Sequence, residues 1–205
     1  MKILLTSLAM WAILSASGAA QAVLIDRGGG LIYDTDLNIT WLQNANLGGT
    51  RNWQDSMEWV SSLNYYDSVR DFTYSDWRLP AGDVCLGYGC SGGEMGHLFH
   101  NELGGLPGYD IESTHNISYA LFKDVYDFGN QYWTSRQVPP HNDDANIFYF
   151  NLGYSNNVIK STQGVRAWAV RDGDVIAFVP EPAPAWLLGA GLLSLMVIAG
   201  KRKVT

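Results

Sequence analysis

Polar and apolar residues alternate along Asp76-Trp77-Arg78-Leu79-Pro80, the period of a half-buried strand, and the run stops at a proline that cannot donate to a ladder. Trp77 and Leu79 are expected to face a core, with Arg78 turned away, and the segment to lie centrally among the other strands. Before it, short apolar runs at 23–25, 31–33 and 39–42 are separated by Gly28-Gly29-Gly30 and Asp34-Thr35-Asp36, which predicts hairpins. No Gly-Lys-Ser/Thr follows the three glycines, so they read as a turn and not as a phosphate loop. Asn52 is placed to cap a helix reaching about Leu63, because Trp53, Met57, Val60 and Leu63 recur on one face of a 3.6-residue period. A second helix is predicted over 93–103, with Met95, Leu98, Phe99 and Leu103 inward and Glu94, His97, His100 and Asn101 opposite. Glu102 falls inside the apolar arc and is expected to pair with a buried arginine, with Arg78 the candidate. Residues 104–118 read as loop, and strands are predicted at 119–122, 131–135, 146–152 and 166–171.

The two ends carry different patterns. Lys2, an apolar run from Ile3 to Leu14 and small residues ending in Ala20-Gln21-Ala22 form the three regions of a signal peptide, with cleavage by signal peptidase expected after Ala22. At the other end, residues 183–200 hold no charge and as a helix would reach about 27 Å, near the hydrocarbon thickness of a bilayer. Lys201-Arg202-Lys203 then belongs on the cytoplasmic side. Pro180-Glu181-Pro182, this apolar span and the basic end together resemble the PEP-CTERM sorting tail of Gram-negative bacteria. The resemblance covers 180–205 and implies recognition by an exosortase, removal of the tail, and display at the cell surface or in the extracellular matrix.

Between the ends lies a body of one-domain size, 23–179. The chain carries 13 Lys+Arg against 20 Asp+Glu, and four of the basic residues sit in the end segments, so the body is strongly acidic. Nucleic acid is excluded as a partner, because no basic patch is available to release counterions. Calcium is compatible with such a surface, although no motif supports it. The chain has 2 cysteines, Cys85 and Cys90, in a glycine-rich loop of an exported protein. A disulfide between them is expected. Glu94, His97 and His100 recur at three-residue spacings, but a zinc site needs further ligands and a second shell. They are read as solvent-exposed, and no metal site is assigned.

Five stretches give the body a resemblance of its own: Asn52-Trp53, Asp76 to Pro80, Gly93-Glu94-Met95-Gly96-His97-Leu98, Tyr132-Trp133-Thr134-Ser135 and Ala167-Trp168-Ala169-Val170-Arg171. They resemble the C-terminal domain of the Legionella collagen-like adhesin, over most of 23–174. The resemblance implies a C-type-lectin-like α+β fold, two helices packed on short, mainly antiparallel sheets with long loops to one side. The related formylglycine-generating enzymes use a catalytic cysteine pair, which Cys85 and Cys90 do not resemble. The Glu-Pro-Asn and Trp-Asn-Asp motifs of sugar-binding C-type lectins are absent.

Three functions fit: a non-catalytic binding or adhesion module associated with exopolysaccharide or matrix proteins, a metal-dependent enzyme using His97, His100, His141 or Asp143-Asp144, and a purely structural matrix component. The first is the leading expectation. Its ligand is expected at the polar hairpin loop 136–145, which gathers His141, Asn142, Asp143 and Asp144, with Tyr132 and Trp133 at its entrance as stacking surfaces.

Overall fold

Gly28, Gly29 and Gly30 all take positive φ, at 70°, 63° and 79°, a run that side chains with a Cβ rarely adopt. In the computed structural model, which describes residues 23–125, 131–140 and 142–175, this turn joins β1 (Leu24–Asp26) to β2 (Leu31–Asp34). β3 (Ile39–Leu42) extends the antiparallel meander, as the hairpin pattern predicts. After β4 (Thr50–Arg51), helix α1 (Trp53–Ser62) starts at Asn52, whose side chain accepts the Asp55 N–H at 2.8 Å. Trp53 and Val60 of its apolar stripe are buried, and Met57 and Leu63 pack against the core from its margin. β5 (Tyr65–Asp67) and β6 (Phe72–Tyr74) form a small hairpin that the pattern does not announce.

The Asp76–Pro80 stretch keeps its alternation but not its expected place in a sheet. Trp77 and Leu79 are buried and Asp76 is exposed. Pairing is confined to one bridge, in which Arg78 and Val170 exchange backbone hydrogen bonds of 2.8 and 2.9 Å. Proline ends the ladder there. What fastens the segment is charge: Asp76 takes a bidentate contact from Arg171, and Arg78 reaches Asp172 at 2.6 Å. Arg78 also forks onto both oxygens of Glu94, at 2.8 and 2.7 Å. Its partner is therefore Glu94 and not Glu102, since the guanidinium lies at the N-terminal end of the second helix and Glu102 at the far end.

β7 (Gly87–Tyr88) follows, and then the second helix, which is short. α2 (Glu94–His97) makes one turn and relaxes into a π turn, Leu98–Glu102. Met95, Leu98, Phe99 and Leu103 are buried as the pattern predicts. Gly96 is required at its position, because a Cβ there would lie 2.0 Å from the Cys90 carbonyl oxygen. α3 (Ile111–Thr114) comes next, and residues 117–121 form a 3-10 turn (Ile117–Leu121) in place of the strand expected at 119–122. The Asn116 side chain accepts the Ser118 N–H at 2.8 Å, a local cap that outcompetes extension.

The remaining strands are β8 (Gln131–Gln137), β9 (Asp144–Tyr149), β10 (Tyr154–Ile159), β11 (Val165–Arg166) and β12 (Val170–Asp172). Three sheets result: β1-β2-β3-β12, β4-β11-β8-β9-β10-β7, and β5-β6. All pairings between these strands are antiparallel except β11 with β8. The fold is thus α+β, with few helices and mainly antiparallel sheets. The first and last described strands share one sheet, and an Arg27–Asp174 ion pair reinforces that closure.

Trp168 is the hub of the core. Its ring meets Trp41 at 5.1 Å, Phe122 at 5.3 Å, Tyr132 at 5.5 Å and Phe150 at 5.6 Å, and its indole N–H donates to the Leu42 carbonyl at 2.7 Å. Such edge and tilted contacts suit the aromatic quadrupole, each adding about 0.5–1.5 kcal/mol beyond area burial. Among the described residues no helix is long and apolar enough to cross a membrane. The expected signal peptide over 1–22, the Pro180-Glu181-Pro182 motif and the apolar span 183–200 lie outside the described residues.

Candidate functional site

The loop expected to bind ligand is only partly assembled for it. Asn142 and Asp143 are exposed and Asp144 is half-buried, and Asp143 and Asp144 line a shallow open depression with Ile159, Lys160 and Ser161. His141 lies outside the described residues. Lys160 draws the depression's charge inward: its ammonium donates to the Asn142 carbonyl at 2.5 Å and to Gln137 Oε1 at 3.0 Å, and sits 4.6 Å from the centre of the Trp53 ring. Tyr132 and Trp133 offer no surface to a ligand. Both are fully buried, because β8 runs through the interior of its sheet with both faces covered. Tyr132 packs on Trp168 and Phe150, and the Trp133 N–H donates to the Arg51 carbonyl at 2.9 Å.

A different aromatic surface is partly open, with Tyr149 and Tyr154 half-buried at its inner end and Tyr88 exposed at its outer end. Tyr149, Tyr154 and Tyr88 stand at facing positions on β9, β10 and β7, so the pleat sends all three side chains to the same face of the sheet. Their rings meet in sequence, Tyr149 to Tyr154 at 5.7 Å and Tyr154 to Tyr88 at 4.8 Å, both edge to face. Tyr88 is 56% exposed, and Tyr109, 65% exposed, stands on the neighbouring loop, where the adjoining Gly108 comes close to the Tyr88 ring. Leu86 and Leu106, also exposed, lie in these two segments. The disulfide Cys85–Cys90, with a sulfur–sulfur distance of 2.07 Å, closes the loop that carries β7 and confirms the cysteine pairing. In sequence the tyrosine pair on β9 and β10 flanks a turn at Gly153, which is a usable hairpin signal. Nothing local marks Tyr88 as their neighbour.

The second helix holds the other concentration of chemistry. His97 and His100 are half-buried and not solvent-exposed as expected. His100 is held in the neutral direction by burial, its Nδ1 set 3.2 Å from the Gly105 carbonyl. The three-residue spacing does not gather Glu94, His97 and His100. Instead His97 meets Glu102, Nε2 to Oε1, at 3.3 Å, with the Asp36 carboxylate at 3.8 Å. Residues five apart diverge by about 140° on an α-helix, and the wider π turn brings this pair to one side. Asp34, from the end of β2, completes the group: one donor atom from each of Asp34, His97 and Glu102 lies within 4.8 Å of the others.

Asp34 is fully buried and Glu102 nearly so. Oδ1 of Asp34 accepts the N–H groups of Asp36 and Leu37, at 3.1 and 3.0 Å. Its Oδ2 is buried without a hydrogen-bond partner, as is the Trp41 indole nitrogen, which approaches the carboxyl without closing a bond of good geometry. Burial pushes the Asp34 carboxyl above the usual range, against the lowering effect of the Leu37 N–H. Burial first and the Asp34 charge second push Glu102 the same way. No family model matches the chain, and neither the curated proteins nor the solved structures give a match.

Proposed function

We propose that this chain is an exported, non-catalytic binding protein of the cell surface or extracellular matrix, holding exopolysaccharide on the tyrosine row of a C-type-lectin-like body. The row Tyr149, Tyr154 and Tyr88, continued by Tyr109, carries the reading. Sugar rings present apolar C–H faces and hydroxyl edges, and tyrosine offers a matching apolar ring with a polar tip. Exposed apolar surface marks interaction sites, and here Tyr88 and Tyr109 supply the exposed part, with half-buried Tyr149 and Tyr154 behind Tyr88. The disulfide that closes the β7 loop suits an oxidising compartment, in keeping with the expected signal peptide and with a tail resembling the exosortase substrates.

Processed protein recovered from the host surface, titrated with host exopolysaccharide by calorimetry or interferometry, tests the reading. Tyr88→Ala and Tyr109→Ala should each weaken binding by roughly tenfold, about 1.4 kcal/mol, whereas Asp143→Asn with Asp144→Asn leaves it unchanged. Absent binding by the wild type, or binding that survives loss of both tyrosines, rejects it. A matrix protein retained in place of polysaccharide would assign the same face to protein contact.

A further inference from the structure

We propose that Asp34, His97 and Glu102 form a binding site for a divalent transition-metal ion, of the zinc or manganese kind, with Asp36 on its solvent side. This site is separate from the tyrosine row and does not depend on it. One imidazole with two or three carboxylates is a mixed nitrogen and oxygen donor set, which suits zinc or manganese better than calcium, whose sites use six or more oxygens. The donor atoms already lie within 4.8 Å of one another. Bonds of about 2.0–2.2 Å to a central ion would require only a small inward movement of the three side chains.

Charge points the same way. His97 faces the carboxyls of Asp34, Glu102 and Asp36, so three carboxyls surround one imidazole. A buried carboxylate oxygen without a well-formed hydrogen bond is a desolvated group in want of a cation or a donor, and Asp34 Oδ2 is such an atom, although the Trp41 indole nitrogen lies near the carboxyl. The fold also departs from regular geometry here. The π turn closes through a Leu103 N–H bond to the Leu98 carbonyl of 2.9 Å, and it is the turn that places Glu102 against His97. π turns inside helices occur often at functional sites.

The test uses the full-length exported chain purified in detergent, stripped with chelator, dialysed against zinc(II) or manganese(II) and measured by inductively coupled plasma mass spectrometry. The expected stoichiometry is about one ion per chain, falling below about a tenth of that in Asp34→Asn and in Glu102→Gln. Asp143→Asn with Asp144→Asn should keep full loading, which separates the buried group from surface carboxylates. Melting curves guard against a variant that merely unfolds. Asp34→Asn retains Oδ1 for the Asp36 and Leu37 N–H groups and removes a desolvated charge, so in chelator it should melt no lower than the wild type. In metal the order should reverse, because the ion stabilises only the wild type. Should Asp34→Asn fail to fold, cobalt(II) added to the wild type decides: intense visible bands of a low-coordinate mixed nitrogen and oxygen site support the proposal, and the spectrum of hydrated cobalt overturns it. Wild-type protein that retains neither zinc nor manganese overturns it as well, leaving a hydrogen-bonded His97–Glu102 pair.

Discussion

Replacing Arg78 by methionine removes a charge while keeping most of the stem, and the structure allows its consequence to be worked out. The guanidinium donates to both Glu94 oxygens, to Asp172 and to the Leu79 carbonyl at 3.2 Å. The two carboxylates are not equal: the Glu94 side chain is 13% exposed and that of Asp172 is 79% exposed. The Asp172 contact is an exposed pair, worth under about 1 kcal/mol. The Glu94 contact is bidentate and shielded, between an exposed pair and a fully buried one whose rupture costs about 3–5 kcal/mol. Glu94 retains one donor after the change, the Ala81 N–H at 2.7 Å. The expected total loss is therefore about 2–3 kcal/mol, or roughly 5–10 °C in the thermal midpoint of a domain this size. Urea unfolding of Arg78→Met, Glu94→Gln and the double variant isolates the pair, with an expected coupling of about 1–2 kcal/mol. Moderate salt should leave most of the loss in place, because screening acts weakly on shielded pairs. A loss below about 0.5 kcal/mol, or no coupling, would refute the claim that this fork holds the Asp76–Pro80 segment to the second helix.

Three further outcomes are expected. Changing Cys85 and Cys90 together to serine should lower stability by about 2 kcal/mol in the chain-entropy treatment of a short loop; chemical unfolding of the oxidised wild type and the variant measures it, and equal midpoints would show that the bond restrains little. In chelator, the burial-raised carboxyls of Asp34 and Glu102 should make stability fall as pH rises from the unfolded carboxyl value, about 4, through their folded values. Asp76 acts in the opposite sense, since the Arg171 hydrogen bond lowers its carboxyl: its contribution is full above the unfolded value and disappears as pH falls through the folded one. Asp76 is largely exposed, so the buried pair should dominate, and Glu102→Gln should flatten the profile recorded by thermal unfolding above about pH 4. Intact-mass measurement of protein from the host surface should show a chain that begins at Val23 and lacks Lys201-Arg202-Lys203; a chain keeping that basic end would reject sorting by tail removal.

Much of the architecture is written locally. The hairpin around Gly28-Gly29-Gly30, the Asn52 cap of α1, the inward face of the second helix and the alternation of Trp77 with Leu79 all follow from neighbour-to-neighbour rules of backbone freedom, capping and periodicity. The pairing of Cys85 with Cys90 follows from there being no other cysteine in the chain and from the oxidising destination that its N-terminal pattern leads one to expect. Burial is different. Gln131-Tyr132-Trp133 reads as a strand, but whether its aromatics face a ligand or a core depends on what covers each side, and the covering Phe150 and Trp168 come from the turn after β9 and from the link between β11 and β12. The partner of Glu102 was likewise beyond local rules. A π turn, decided by packing of Leu98 and Phe99 into the core, rotates Glu102 toward His97, while Arg78 is taken by Glu94. Tyr88, Tyr149 and Tyr154 become one surface only because β7 pairs with β10 across a long stretch of chain. Asp34 joins His97 only because the meander of β1 to β3 packs beside the second helix. Local sequence thus specifies which segments are helix, strand or turn, but side chains far apart in the chain meet only where the sheets' order and packing bring them together, and both candidate sites are made of such meetings.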